Sequence, residues 1–187
     1  MLSVEPLYPF HDVLLIKTKV FGDDRGFFLE SFNTKSFRDA TGITLNFVQD
    51  NLSRSNQGVL RGIHYQLPPH SQGKLVRVVT GAVFDVAVDL RRQSPTFGLW
   101  AGHELRDTDG QMLWIPPGFG HGFLVLQDQT NFLYKTTDVY APQYEASVAW
   151  NDPSIDIRWP IQDMSDKLML SEKDQLAPNL EAAKVFD

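Results

Sequence analysis

Two of the five histidines in this chain occupy contexts suited to presenting a catalytic side chain. His64 closes the run Gly58-Val-Leu-Arg-Gly-Ile-His64, and His121 closes Pro116-Pro-Gly-Phe-Gly-His121. Lys74 follows the first, and Tyr134 sits in a later apolar run. An imidazole can take a proton near neutral pH. A tyrosine hydroxyl can return one, and a lysine ammonium can steady an oxyanion that exists only during reaction. Together these groups can remove a proton beside a carbonyl, hold the enolate and reprotonate it. The carbon inverts when base and acid work on opposite faces of it.

The elements that must carry these groups are mostly strands. Residues 58–66, 74–79, 82–90, 99–105, 111–115, 122–126 and 131–138 read as short strands separated by turn residues. Thr80-Gly81 makes a plausible hairpin between the second and third. Along 82–90, Phe84, Val86, Val88 and Leu90 share one face, and Asp85, Ala87 and Asp89 share the other. One helix is expected over 34–41, capped by Asn33 and stopped by Gly42. So many closely spaced strands predict a mainly β jelly-roll barrel with a few short helices. One domain spans 1–187: N-terminal strands and the helix over 1–57, a barrel core over 58–140, and a C-terminal arm over 141–187 that turns helical near 181–185.

The His121 segment also fits the cupin pattern Pro-x-Gly-x-x-His, in which a turn delivers a histidine into the barrel. Metal cupins add an upstream His-x-His and a glutamate soon after. This chain has His64-Tyr65-Gln66 instead, with no glutamate before Lys74. Two histidines beside a cation make a poor metal site, so no metal is expected. Composition narrows the classes further. With no cysteine there are no disulfides and no thiolate-held metals or clusters. A net charge of -6, with no basic cluster beyond Arg91-Arg92, argues against nucleic acid but leaves room for a small anion. The apolar run at 13–16 is too short for a signal or membrane segment, so a cytoplasmic enzyme is expected.

Several blocks, in order, resemble the dTDP-4-dehydrorhamnose 3,5-epimerase family, cupin-like enzymes of the dTDP-L-rhamnose pathway. They are VFGDDRGFFLESF at 20–32, FVQDNLSR at 47–54, 58–66, QGKLVR at 72–77, FDVAVD at 84–89, WIPPGFGHGF at 114–123, FLYKT at 132–136, WNDP at 150–153, Trp159-Pro160 and LSEKD at 170–174. The resemblance runs from about residue 13 to residue 178. It implies inversion at carbons 3 and 5 of dTDP-4-dehydro-6-deoxy-D-glucose with no cofactor. His64 resembles the general base, Asp174 the carboxylate that orients it, Tyr134 the general acid and Lys74 the group at the enolate oxygen, with His121 nearby. Arg61 and Lys173 resemble pyrophosphate contacts. Arg25, Glu30, Gln49, Asn51 and Glu145 resemble nucleotide or sugar contacts. The resemblance further implies a homodimer, with Arg25 and Glu30 acting across its interface.

Some readings stay open. Strict alternation would put Arg61 and His64 on opposite faces, unless Gly62 marks a bulge. Asp85 rivals Asp174 as the partner of His64. Tyr140 is a candidate to stack on thymine, with core packing the alternative. The competing functions are a single-centre epimerase on a related sugar nucleotide, a metal-dependent cupin oxygenase or isomerase, and a non-catalytic sugar-nucleotide-binding module.

Overall fold

The alternation in 82–90 sets the layers of the fold. Val83 and Ala87 enter a core between two sheets, while Val86, Val88 and Leu90 enter a second core behind one of them. The structure, a computed structural model, describes residues 2–162, 164 and 168–187. Its first sheet takes strands from both halves of the chain: β1 (Ser3–Pro6), β2 (Leu14–Lys17), β5 (Gln49–Ser55), β7 (Lys74–Thr80), β10 (Gln111–Ile115) and β12 (Thr130–Thr136). Their spatial order is β1-β2-β10-β7-β12-β5. The second sheet has the order β13-β6-β11-β8-β9, from β6 (Leu60–Gln66), β8 (Ala82–Asp89), β9 (Trp100–Arg106), β11 (Phe119–Val125) and β13 (Glu145–Ser147). Neighbouring strands run antiparallel. The sheets face each other without closing on one another, as in a jelly roll. Two further strands, β3 (Val20–Asp23) and β4 (Gly26–Leu29), form a separate ribbon. No described helix is long and apolar enough to cross a membrane.

Each outer face has its own cover. Helix α1 (Thr34–Thr41) sets Phe37 against Trp114, Met112 and Leu75 on the first sheet. It has the caps its sequence implies: Asn33 accepts from the Ser36 amide, and Gly42 adopts a left-handed φ of 73°. The C-terminal arm covers the second sheet with Val148, Ile155, Trp159 and Phe186. The helix expected near 181–185 is absent. The Ala182 and Ala183 amides share the Asn179 carbonyl in one turn, and the chain then leaves to pair Phe186 with Arg91 in a parallel bridge. A short helix lies earlier in the arm, α2 (Glu172–Gln175).

Two departures from strict alternation carry functional side chains. β11 begins at Phe119 rather than 122, so His121 stands inside a strand and not on the turn before it. Continuous pairing with β8, from Phe119 opposite Asp89 to Val125 opposite Val83, draws these residues into the sheet. In β6, Leu60 and Ile63 both join the rear core, and Arg61 and His64 both face the inter-sheet cavity. The pairing with β11 slips between His121 opposite His64 and Phe123 opposite Arg61, the bulge expected at Gly62. Glycine is required there. Gly62 has φ +115°, and a Cβ would lie 2.5 Å from Gly122 Cα and 2.7 Å from the His121 carbonyl oxygen, both backbone atoms. Gly62→Ala should therefore destabilise the fold by about 3 kcal/mol. Urea unfolding checks this, and an unchanged midpoint would refute the account.

Candidate active site

The cavity between the sheets has two connected parts. The outer part, about 320 Å³, is lined by Gln49, Asn51, Lys74, Tyr134, Tyr140 and Glu145, among others. The inner part, about 140 Å³, is lined by Ser53, Arg61, His121 and Phe123. His64, Lys74 and Tyr134 border both. His64 comes from the second sheet and Tyr134 from the first, so the two face each other from opposing walls. Lys74, at the start of β7, donates from Nζ to the His64 carbonyl at 3.2 Å and ties one wall to the other.

Each imidazole on the second wall has its own carboxylate. His64 Nε2 lies 2.7 Å from Asp174 Oδ1. The N–H is not aligned on that oxygen, so the two groups are in close contact without a well-formed hydrogen bond. Asp174 also accepts the Gly62 amide at 3.2 Å and the Ser171 hydroxyl at 2.6 Å. Burial would raise the Asp174 pKa. The close His64 imidazole, with the bonds from Ser171 and Gly62, outweighs it and brings the carboxyl down to about 2. Asp85, the rival candidate, belongs to the other ring, with His121 Nε2 2.9 Å from its Oδ2. Burial pushes the His121 pKa down against the pull of Asp85. Among the described residues no three His, Asp or Glu side chains converge as a metal site.

Burial also shapes the groups on the first wall. It lowers Lys74 to about 8, against the opposing charges of Asp85 and Glu145, and it raises the Tyr134 hydroxyl. At neutral pH the amine is then mostly protonated and the phenol carries its proton. Phe123 and Phe132, stacked with centroids 4.2 Å apart, form an apolar floor beside His121.

The mouth is a hydrogen-bonded rim. Gln49 donates to Asn51 at 2.9 Å and accepts the Tyr140 amide at 2.9 Å. The Tyr140 hydroxyl donates to Glu145 at 2.9 Å, and Glu145 pairs with Lys173 from α2. Tyr140 is 54% exposed, which removes the core-packing reading and leaves a free ring face at the entrance. Arg61 donates to Ser55 at 3.3 Å and forms no ion pair among the described residues, so its charge faces the inner chamber. Arg25 and Glu30 do not reach this cavity in their own chain. Arg25 pairs with Asp23 at the tip of the ribbon, and Glu30 accepts from Asn33.

Some lining residues were not singled out from sequence. Ser53 follows Gln49 and Asn51 at every second position of β5, so alternation places it on the same wall. Asp174, which the sequence did single out, sits on a short helix capped by Ser171, a residue it did not. Gln72 lines the outer chamber from a loop, where no periodic signal marks it.

The family model described as dTDP-4-dehydrorhamnose 3,5-epimerase matches residues 8–182. The chain belongs to this family. A dTDP-4-dehydrorhamnose 3,5-epimerase of Pseudomonas aeruginosa is 57% identical over 164 residues, 88% of either chain. The crystal structure of the Legionella pneumophila dTDP-6-deoxy-D-glucose-3,5-epimerase, in complex with dTDP-4-keto-L-rhamnose, superposes with TM-score 0.92 at 46% identity, covering 97% of this chain and 94% of that one. A 3'-monoepimerase from Streptomyces bikiniensis, in complex with dTDP-quinovose, superposes with TM-score 0.87 at 35% identity over 95% of this chain and 88% of that one. The family thus includes isomerases acting at two sugar carbons, and its fold is shared with an enzyme acting at one.

Because the folded Asp174 pKa lies below its unfolded value of 3.8, this carboxylate stabilises the fold above about pH 4 and loses that contribution as pH falls toward 2. A carboxyl-carbon NMR titration should give Asp174 a midpoint of about 2. A midpoint near 3.8 would mean that its clamp is not formed in solution.

Proposed function

We propose that this cavity inverts carbons 3 and 5 of dTDP-4-dehydro-6-deoxy-D-glucose, giving dTDP-4-dehydro-L-rhamnose for dTDP-L-rhamnose biosynthesis. The observation that carries the reading is the placement of His64 and Tyr134 on opposing walls, with Lys74 bordering both chambers between them. The ketone at carbon 4 acidifies the C–H bonds on either side, so one set of groups can serve both carbons. Asp174 keeps a proton on His64 Nε2, which leaves the Nδ1 lone pair as the base. His64 takes the carbon-bound proton, and the electron pair moves into the carbonyl to leave an enolate oxygen. The Lys74 ammonium stabilises that oxygen. Tyr134 then donates its proton to the carbon from the opposite face. The proton on His64 passes to solvent and Tyr134 recovers one, so the reaction is a net isomerisation that consumes no cofactor.

The rim and Arg61 suit the rest of the molecule. Tyr140 offers a flat ring for thymine, and Gln49, Asn51 and Glu145 offer polar contacts for nucleotide or sugar. Arg61, together with Lys173 as it leaves Glu145, can bind the pyrophosphate. Arg25 and Glu30 act from a second copy of the chain in a homodimer. Support comes from the ribbon that carries Arg25, which turns Phe21, Phe27 and Phe28 to solvent in the single chain, with Phe28 70% exposed. The second reading, inversion at one carbon only, is favoured by the likeness to the 3'-monoepimerase.

The deciding experiment incubates the protein with dTDP-4-dehydro-6-deoxy-D-glucose in heavy water with chelator present. Deuterium at carbons 3 and 5 with inverted product is expected; label at one carbon selects the second reading, and no label rejects both. His64→Ala should lower exchange by roughly 10²–10⁴-fold. Tyr134→Phe should keep some exchange while impairing inversion. Full activity in His64→Ala would overturn the mechanism. The shared site is tested by mixing. Arg25→Ala and His64→Ala proteins, each poorly active alone, should regain activity together, because one cavity of the hybrid dimer has both groups intact. No recovery after demonstrated subunit exchange would exclude the second copy's contribution.

A further inference from the structure

A fully buried carboxylate is left unused by this mechanism. Asp85 lies mid-strand in β8 between Val83 and Ala87, on the face that otherwise fills the inter-sheet core. Alternation there calls for an apolar side chain. Oδ2 of Asp85 accepts from His121, but Oδ1 is buried with no hydrogen-bond partner among the described residues. A carboxylate so placed weighs against the fold unless a positive charge offsets it. Its cross-strand neighbour Phe123 and its partner His121 both line the inner chamber with Lys74, so Asp85 lies beside that lining on the same face of the sheet.

We propose that Asp85 is a positioning residue, the fixed counter-charge that holds the Lys74 ammonium and the His121 ring at the place where the sugar oxygen becomes negative. The proposal rests on the enolate reading above. The charged and titratable groups facing Lys74 are Asp85 from β8, His121 from β11, His64 and Arg61 from β6, Tyr134 from β12, Glu145 from β13 and Lys173 from α2. Burial pulls the lysine down most strongly; Asp85 opposes it more than Glu145 does, and Lys173 adds to the lowering. Burial likewise favours a neutral His121, whose Nε2–H then points at Asp85 and fixes the tautomer. One carboxylate therefore keeps the amine charged and the ring oriented, without touching the substrate.

Asp85→Asn in the full chain removes the charge and keeps the shape. KM should change by less than about threefold, while kcat at neutral pH falls about tenfold or more. The alkaline limb of kcat should move to lower pH by about one unit, because Lys74 without its counter-charge loses its proton sooner. Adding Asp85→Asn to Lys74→Ala should cost less than about threefold further, since the two act as a unit. An unmoved alkaline limb in a variant that melts like the parent overturns the proposal. A second measurement needs neither the variant nor turnover: in the parent protein the Asp85 carboxyl-carbon resonance should shift as Lys74 titrates at about 8. A resonance that ignores that titration also overturns the proposal. Failure of the enolate reading looks different, because the sugar protons would then stay unexchanged while the Asp85–Lys74 coupling persists.

Discussion

The site depends on the place where Gly62 meets the backbone of His121 and Gly122 with no room for a Cβ. The extra residue in β6 turns Arg61 and His64 to the same wall, a pairing that a regular strand forbids. The same glycine offers its amide to Asp174, so the kink that aims the imidazole also helps hold the carboxylate that orients it. The rear core makes the kink durable. Leu60, Ile63 and Tyr65 are buried against the C-terminal arm, and the Tyr65 hydroxyl donates to the Lys184 carbonyl at 2.6 Å. Catalytic geometry on one face of β6 is thus braced by hydrophobic packing on the other.

Two imidazole–carboxylate pairs are anchored by histidines on the neighbouring strands β6 and β11, and they differ in burial. His64 keeps 27% of its side-chain surface open and faces Tyr134 across the cavity, which suits the proton acceptor proposed above. His121 is 6% exposed over an apolar floor of stacked rings. Lys74 stands between them, its charge made labile by burial and preserved by the carboxylates around it. Identical residue types thus differ in how much water each can reach, which is what shifts their chemistry.

Much of this was legible in the sequence because alternation is a local signal. The two faces of 82–90, the capped helix at 34–41 and the strand at 111–115 could be read from residue types alone. Gly62 between Arg61 and His64 announced the bulge, although only tertiary contact shows why no other residue fits there. The choice between Asp85 and Asp174 could not be made from the chain, since Asp85 meets His121 across 36 residues and Asp174 meets His64 across 110, from position 64 to position 174. The short helical pattern at 181–185 lost to pairing of Phe186 with the barrel, where tertiary contacts override weak local propensity. His121 was drawn into β11 for the same kind of reason, because a long partner strand was available to pair with it.

The exposed ribbon has a thermodynamic consequence. Two strands with outward aromatic side chains are marginal by themselves, and on the two-copy reading they become ordered by entering the neighbouring chain's cavity. Substrate binding and self-association are then linked equilibria. Whatever factor dimerisation adds to substrate affinity, substrate returns to the dimer. The specific activity of such a protein would vary with its own concentration at high dilution, and a saturating sugar nucleotide would extend the range over which the assembly survives.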